Sequence, residues 1–333
     1  MADGILERLS RGRVLGDGGY LLELEKRGYV QAGPFTPEVV IEHPDALAQL
    51  HREFLRAGAE VLQTMTFYAS DDKLATVGLA GKVDDINRAA VGIAREVAAE
   101  GDALVAGNLS LTWAYDPADP TSEDHVRRLL DRQLGDQLVA GPPDFWIGET
   151  FSYLGEALLF VERAKATGLP VMVTMSFETL PPKTYEGDVP ADAARKLADA
   201  GADIVGVNCL NGPAQQLPIA AEMARAVGDR VSVASQPVAY ATTEAEPDFT
   251  AGPAFPYALT PMTLARGELA AFARDARDAG VRYIGSCCGS VAEHVRAMAK
   301  VLGKLPEEER EWRSPTGKAM SAYEYYTHTE TEV

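Results

Sequence analysis

The sequence is short of positive charge. It carries 31 Lys and Arg against 49 Asp and Glu, a formal charge of −18 at pH 7. Nucleic acids and anionic lipid surfaces are held by clustered cations, so this balance argues against both as partners. Long apolar runs are also missing. No window approaches the ~20 uninterrupted apolar residues of a membrane-spanning helix. The opening MADGILERLSRG places charges where a secretory leader needs an apolar stretch, so a cytoplasmic location is expected. Histidine is scarce, and its five positions (43, 51, 125, 294 and 328) form no metal-binding spacing. Cysteine is scarcer still. There are three, Cys209, Cys287 and Cys288, and an odd number with two adjacent makes a poor disulfide framework. In a reducing compartment such thiols are free for metal or for chemistry.

What the chain has is rhythm. Eight apolar, β-rich runs alternate with helical patterns: RVLGDGG (13–19), VLQTMTF (61–67), ALVAGNLS (103–110), DFWIGETF (144–151), VMVTMSF (171–177), DIVGVNC (203–209), VSVASQP (231–237) and RYIGSCC (282–288). GLPVMV, GADIVGV and GVRYIG repeat one device, in which a helix stops at Gly and a buried strand follows. Near-continuous apolar strands alternating with helices indicate a parallel sheet covered on both faces. Eight units in 333 residues predict one α/β domain, a (β/α)8 TIM barrel over 1–304, with long βα loops after the fifth and seventh strands. The remainder, 305–333, reads as a polar C-terminal tail.

The cysteines fall at the ends of the sixth and eighth runs, and strand C-termini in such a barrel share the catalytic face. Three sulfurs meeting there would give a zinc ion three protein ligands and one open position, the arrangement of a catalytic site. A free alkyl thiol is only a few per cent ionised at neutral pH, whereas a metal-bound one is deprotonated outright. The expected chemistry is therefore attack by a zinc-bound thiolate on an electrophilic carbon such as an activated methyl group. Three other readings stand beside it: inert buried cysteines, a structural zinc, and a metal-free thiol-redox pair at Cys287 and Cys288. Gly285 and Gly289 flank the pair and predict a tight turn, and Asn208 and Gln236, at neighbouring strand ends, are placed to hydrogen-bond the ligand sulfurs.

GVNC followed far downstream by GSCCG resembles the homocysteine S-methyltransferase family. GILERLSRGRVLGDGGYLLELEKRGYVQAGPFTPE, HREFLRAGAEVLQTMTFYASDDKL, EGDALVAG, AGADIVGVNC, SQPVAY and GVRYIGSCCG extend the likeness towards its betaine-dependent members, from Gly4 to Leu302. The resemblance implies a zinc enzyme that passes a methyl group from an onium donor, glycine betaine, to homocysteine, giving methionine. It implies Cys209, Cys287 and Cys288 as zinc ligands, and Asp17 and Glu149 as the acids that hold the homocysteine ammonium. Backbone amides at Phe67 and Tyr68 would receive its carboxylate, and Tyr68 would also touch the donor. Two positions depart from the betaine pattern. Phe35 stands where a tryptophan is expected, and Thr150 where a tyrosine follows the glutamate. Trp113, in LTWAYDP, is a candidate replacement wall for the aromatic site that holds a quaternary ammonium. A sulfonium donor, dimethylsulfoniopropionate or S-methylmethionine, is the alternative those departures leave open. The partners expected are small molecules, with a homo-oligomer neither required nor excluded.

Overall fold

A computed structural model of the chain describes residues 3–306. The expected tail, beyond Pro306, lies outside the described residues. Eight parallel strands alternate with helices: β1 (Val14–Leu15), β2 (Val61–Gln63), β3 (Leu104–Ser110), β4 (Phe145–Phe151), β5 (Val171–Met175), β6 (Ile204–Asn208), β7 (Ser232–Gln236) and β8 (Tyr283–Ile284). From β2 to β8 each strand pairs with its neighbours in chain order, and β1 pairs with β8, so the sheet curls into a (β/α)8 barrel. The seam between β1 and β2 is closed outside the regular ladder. The Glu60 N–H donates to the Leu15 carbonyl at 2.8 Å, and the Glu60 carboxylate accepts from the Leu15 N–H at 2.9 Å.

Strand alternation sorts the side chains into two cores. Val14, Val61, Leu104, Ala106, Phe145, Ile147, Met172, Ile204, Ala234 and Tyr283 share one buried cluster inside the barrel. Ile5 and Leu9 join it, one turn apart on the first helix, Ile5–Arg11. Residues of opposite parity, such as Val105, Trp146, Val173 and Val205, belong to the larger layer between sheet and helices. Trp146 fills the space that Gly107 leaves, since a Cβ there would lie 2.3 Å from the indole.

The expected strands run too far at their C-terminal ends. β1, β2 and β8 keep only two or three ladder residues, and Cys209, Cys287 and Cys288 lie beyond their strands in loops. The physical reason is that the chain there bonds across the mouth of the barrel. The Cys209 N–H donates to Gln236 O at 2.9 Å, and the Cys287 N–H donates to Pro237 O at 2.8 Å. Both loops are thereby tied to the end of β7, the strand that separates β6 from β8. The loop after β5 is likewise held, because the Glu186 carboxylate accepts the Leu154 and Gly155 N–H groups that open the helix between β4 and β5, each at 2.8 Å. The histidines are structural where they are buried. His294 accepts from the Val291 N–H and donates to the Leu264 carbonyl, joining a helix start to the preceding loop.

Candidate active site at the strand C-termini

The parity that keeps apolar residues inside the lower barrel puts polar ones in its top layer. Gln63, Asn108, Glu149, Thr174, Asn208 and Gln236 occupy the inward positions above that apolar cluster. All but Gln236 join Asp17 in a hydrogen-bonded circuit. Asp17 accepts from the Gln63 N–H at 2.7 Å and from its side-chain amide at 3.1 Å. The Asn108 amide donates to Gln63 Oε1 at 2.9 Å and to Glu149 Oε1 at 2.6 Å. Glu149 Oε2 accepts from Asn208 Nδ2 at 3.0 Å, and Asn208 Oδ1 accepts from the Thr174 hydroxyl at 2.8 Å.

Over this layer lies a cleft, partly open to solvent, lined by Gln63, Phe67, Asn108, Glu149, Thr150, Gln236 and the three cysteines. All three Sγ atoms fall within 4.8 Å of one another, with Cys209 and Cys288 3.8 Å apart. The turn that brings the adjacent pair round depends on Gly289, at φ +79°, where a Cβ would also strike the Tyr240 ring at 2.5 Å. Gly285 is not in that backbone region. It leaves room for Gln236, whose Cγ would lie 3.1 Å from a Cβ there. Hydrogen bonds from the Cys287 and Cys288 thiols pull Cys209 well below the ordinary thiol range. The same contact with Cys209 pushes both neighbours up. A three-sulfur donor set beside an open cleft fits a soft, tetrahedral metal with one free position.

The expected residues divide by position. Glu149 faces the cleft, and burial drives its pKa up to about 8, with the Asn108 hydrogen bond opposing. Asp17 does not reach the cleft. It is fully buried, and its donors are all internal: Gln63 twice and the Tyr20 hydroxyl at 2.5 Å. Burial raises its pKa to about 6. Asn208 has nothing left for a sulfur, because Thr150 and Thr174 join Glu149 in occupying its amide. Gln236 does remain available, with its Oε1 buried and unpartnered at the edge of the cleft. The Tyr68 N–H is committed to the Ser110 hydroxyl at 3.1 Å, while the Phe67 N–H has no partner among the described residues.

Of the expected aromatic residues, Phe67 lines the cleft, and the others adjoin it at one remove. Phe67 and Tyr68 have ring centroids 4.3 Å apart, and the Trp113 indole N–H donates to the Tyr68 hydroxyl at 3.0 Å. Phe35 packs against the small cluster that holds Cys209 and Tyr240. Six non-glycine residues among those described have left-handed backbones, and five are Phe35, Tyr68, Trp113, Thr150 and Cys209. Such conformations are costly for bulky or β-branched side chains and gather where function fixes the geometry. Reading the sequence missed Asn108 and Tyr20. Asn108 has a signal, a lone amide inside the apolar run ALVAGNLS, and its Oδ1 is another buried acceptor without a donor. Two orphaned acceptors and a carboxylate around one cleft call for a ligand rich in N–H groups.

The family model for homocysteine S-methyltransferase matches residues 14–302. Betaine–homocysteine S-methyltransferase 1 of Danio rerio is 47% identical over 315 residues, covering 91% of this chain and 78% of that one. S-methylmethionine–homocysteine S-methyltransferase of Pongo abelii is 41% identical over 97% of this chain and 92% of its own. The metallated homocysteine methyltransferase MmuM of Escherichia coli superposes with a TM-score of 0.69 at 21% identity, covering 86% of this chain and 95% of that one, a likeness of fold.

Proposed function

The chain belongs to the homocysteine S-methyltransferase family, and we propose that it methylates homocysteine from glycine betaine at the three-cysteine cleft. The observation that carries the reading is three sulfurs and the Glu149 carboxyl, which has no cation partner among the described residues, lining one cleft with Phe67, whose ring lies against Tyr68 and, through it, Trp113. Cys209, Cys287 and Cys288 would hold zinc, which when bound supplies the positive charge that keeps an acceptor sulfur ionised. Glu149 takes the homocysteine ammonium, with Asn108 Oδ1 as a further acceptor, and the Phe67 N–H takes the carboxylate. Asp17 acts one step back, fixing Gln63 and Tyr20. Gln236 Oε1 is left to accept a hydrogen bond from the bound amino acid.

The donor's onium group rests on the faces of Phe67, Tyr68, Phe35 and Trp113, each face contributing about 0.5–2 kcal/mol. The methyl carbon then forms its bond to the acceptor sulfur as its bond to the donor nitrogen breaks. Negative sulfur and positive nitrogen both become neutral, so the step gains from a dry site. The apolar rings and the plugged barrel supply that dryness. A sulfonium donor is the second reading, favoured by Thr150 and Phe35, which offer less aromatic surface than a quaternary ammonium site uses, and by the S-methylmethionine relative.

The test is methionine formation by zinc-loaded protein given homocysteine with glycine betaine, dimethylsulfoniopropionate or S-methylmethionine in parallel. Turnover with betaine upholds the first reading. Turnover with sulfonium donors alone replaces it with the second. No methionine from any donor, with zinc bound, sinks both.

A further inference from the structure

Lys73 has no carboxylate partner among the described residues of a chain with 49 acidic side chains. Its ammonium instead lies 5.1 Å from the Tyr68 ring centroid and 5.3 Å from that of Trp113. Those two rings are themselves joined by the indole hydrogen bond to Tyr68. The acid nearest in effect, Glu156, is buried and spends one oxygen on the Thr112 N–H and hydroxyl, at 2.7 and 2.6 Å. Partial burial draws the Lys73 pKa down, the mark of a cation short of counter-charge.

We propose that Lys73 selects zwitterionic methyl donors, yielding the aromatic faces to the onium group and binding the donor's carboxylate with its own ammonium. The inference rests on the onium-donor reading above. Two cations cannot share one pair of rings, so an arriving onium displaces the lysine. The flexible stem then leaves an ammonium beside a second positive charge. A carboxylate one or two carbons from the onium neutralises that pair, and a plain cation does not. The site therefore prefers a donor that carries its anion with it, within a protein whose field otherwise repels anions.

The experiment compares zinc-loaded wild type, Lys73→Met and Lys73→Arg, with homocysteine saturating. The sulfonium pair is dimethylsulfoniopropionate and trimethylsulfonium, which differ in the carboxylate, and glycine betaine is run beside them. Lys73→Met is expected to raise KM for the two carboxylated donors about 10–100-fold, the loss of one charge-assisted contact. KM for trimethylsulfonium should stay level or fall, KM for homocysteine should not move, and Lys73→Arg should recover much of the loss. Equal changes for donors with and without the carboxylate would overturn the assignment, as would a rise in KM for homocysteine instead. Wild type inactive with every onium compound would remove the donor reading and this inference together, which separates that failure from the failure of Lys73 alone.

Discussion

The carboxylate of Asp17 receives both the backbone and the side-chain N–H of Gln63, and so pins the end of β1 to the end of β2. The Glu60–Leu15 bonds also close that seam. Asp17→Ala strands the two buried donors of Gln63, while the Tyr20 hydroxyl keeps His51 Nδ1 at 3.0 Å. At about 1–3 kcal/mol for each unsatisfied group, the loss is about 2 kcal/mol or more. The urea midpoint of the variant should fall accordingly, before any effect on substrate is considered. A variant of unchanged stability with KM for homocysteine alone raised would return Asp17 to the substrate.

Glu149 should behave in the opposite way. Burial holds its folded pKa near 8 against an ordinary 4.5, so between those values the native state keeps a proton that the unfolded chain has released. Stability of the ligand-free protein therefore declines as pH rises through that window. Glu149→Gln should flatten this slope in urea titrations from pH 5 to 8, while raising KM for homocysteine about 10–100-fold. Methionine, which has no thiol proton to lose, should release protons on binding to wild type at pH 7 and release fewer from the variant. Calorimetry in buffers of different ionisation enthalpy reads that difference.

Much of this was visible in the chain. Eight apolar runs announced eight strands, and the period of two in DFWIGETF already placed Glu149 on the same face as Phe145 and Ile147. Cys209 and Cys287 converge because both loops bond to consecutive residues at the end of β7, Gln236 and Pro237, and topology alone foresees that nearness. The partners of Asp17 and Asn208 were not legible. Each has hydrogen bonds to neighbouring strands fixed by register, and a one-residue slip would hand those bonds to other residues. The left-handed backbones of Thr150 and Cys209 leave no trace in residue type, since neither is a residue that favours that region.

The thiol cluster makes a prediction about metal that does not depend on turnover. Purified protein should carry about one zinc per chain, the number a single three-sulfur site can take. Cys288→Ala should reduce zinc retention through dialysis against a chelator and abolish methionine formation. Its far-UV circular dichroism should remain that of wild type, because the cysteine lies in a loop outside the strand ladder. A cysteine variant that keeps both zinc and activity would break the link between the cluster and the chemistry.

Trp113 tests the donor face by itself. It is 53% exposed, so its ring is not needed for the core, and it is held by the bond to Tyr68 and by the Lys73 ammonium over its face. Trp113→Phe keeps a smaller ring and loses that bond, whereas Trp113→Ala removes the face. An aromatic face is worth about 0.5–2 kcal/mol to a cation, so the alanine variant should raise donor KM about 2–30-fold and phenylalanine less. KM for homocysteine should hold in both, because Glu149, Asn108 and Phe67 are untouched. Donor binding should also perturb the tryptophan fluorescence of wild type, a change that Trp113→Phe should lose. Should alanine leave donor KM unchanged, the onium group rests on Phe35, Phe67 and Tyr68 without it. Lys73 would then be shielding the indole from solvent instead of marking the donor's place.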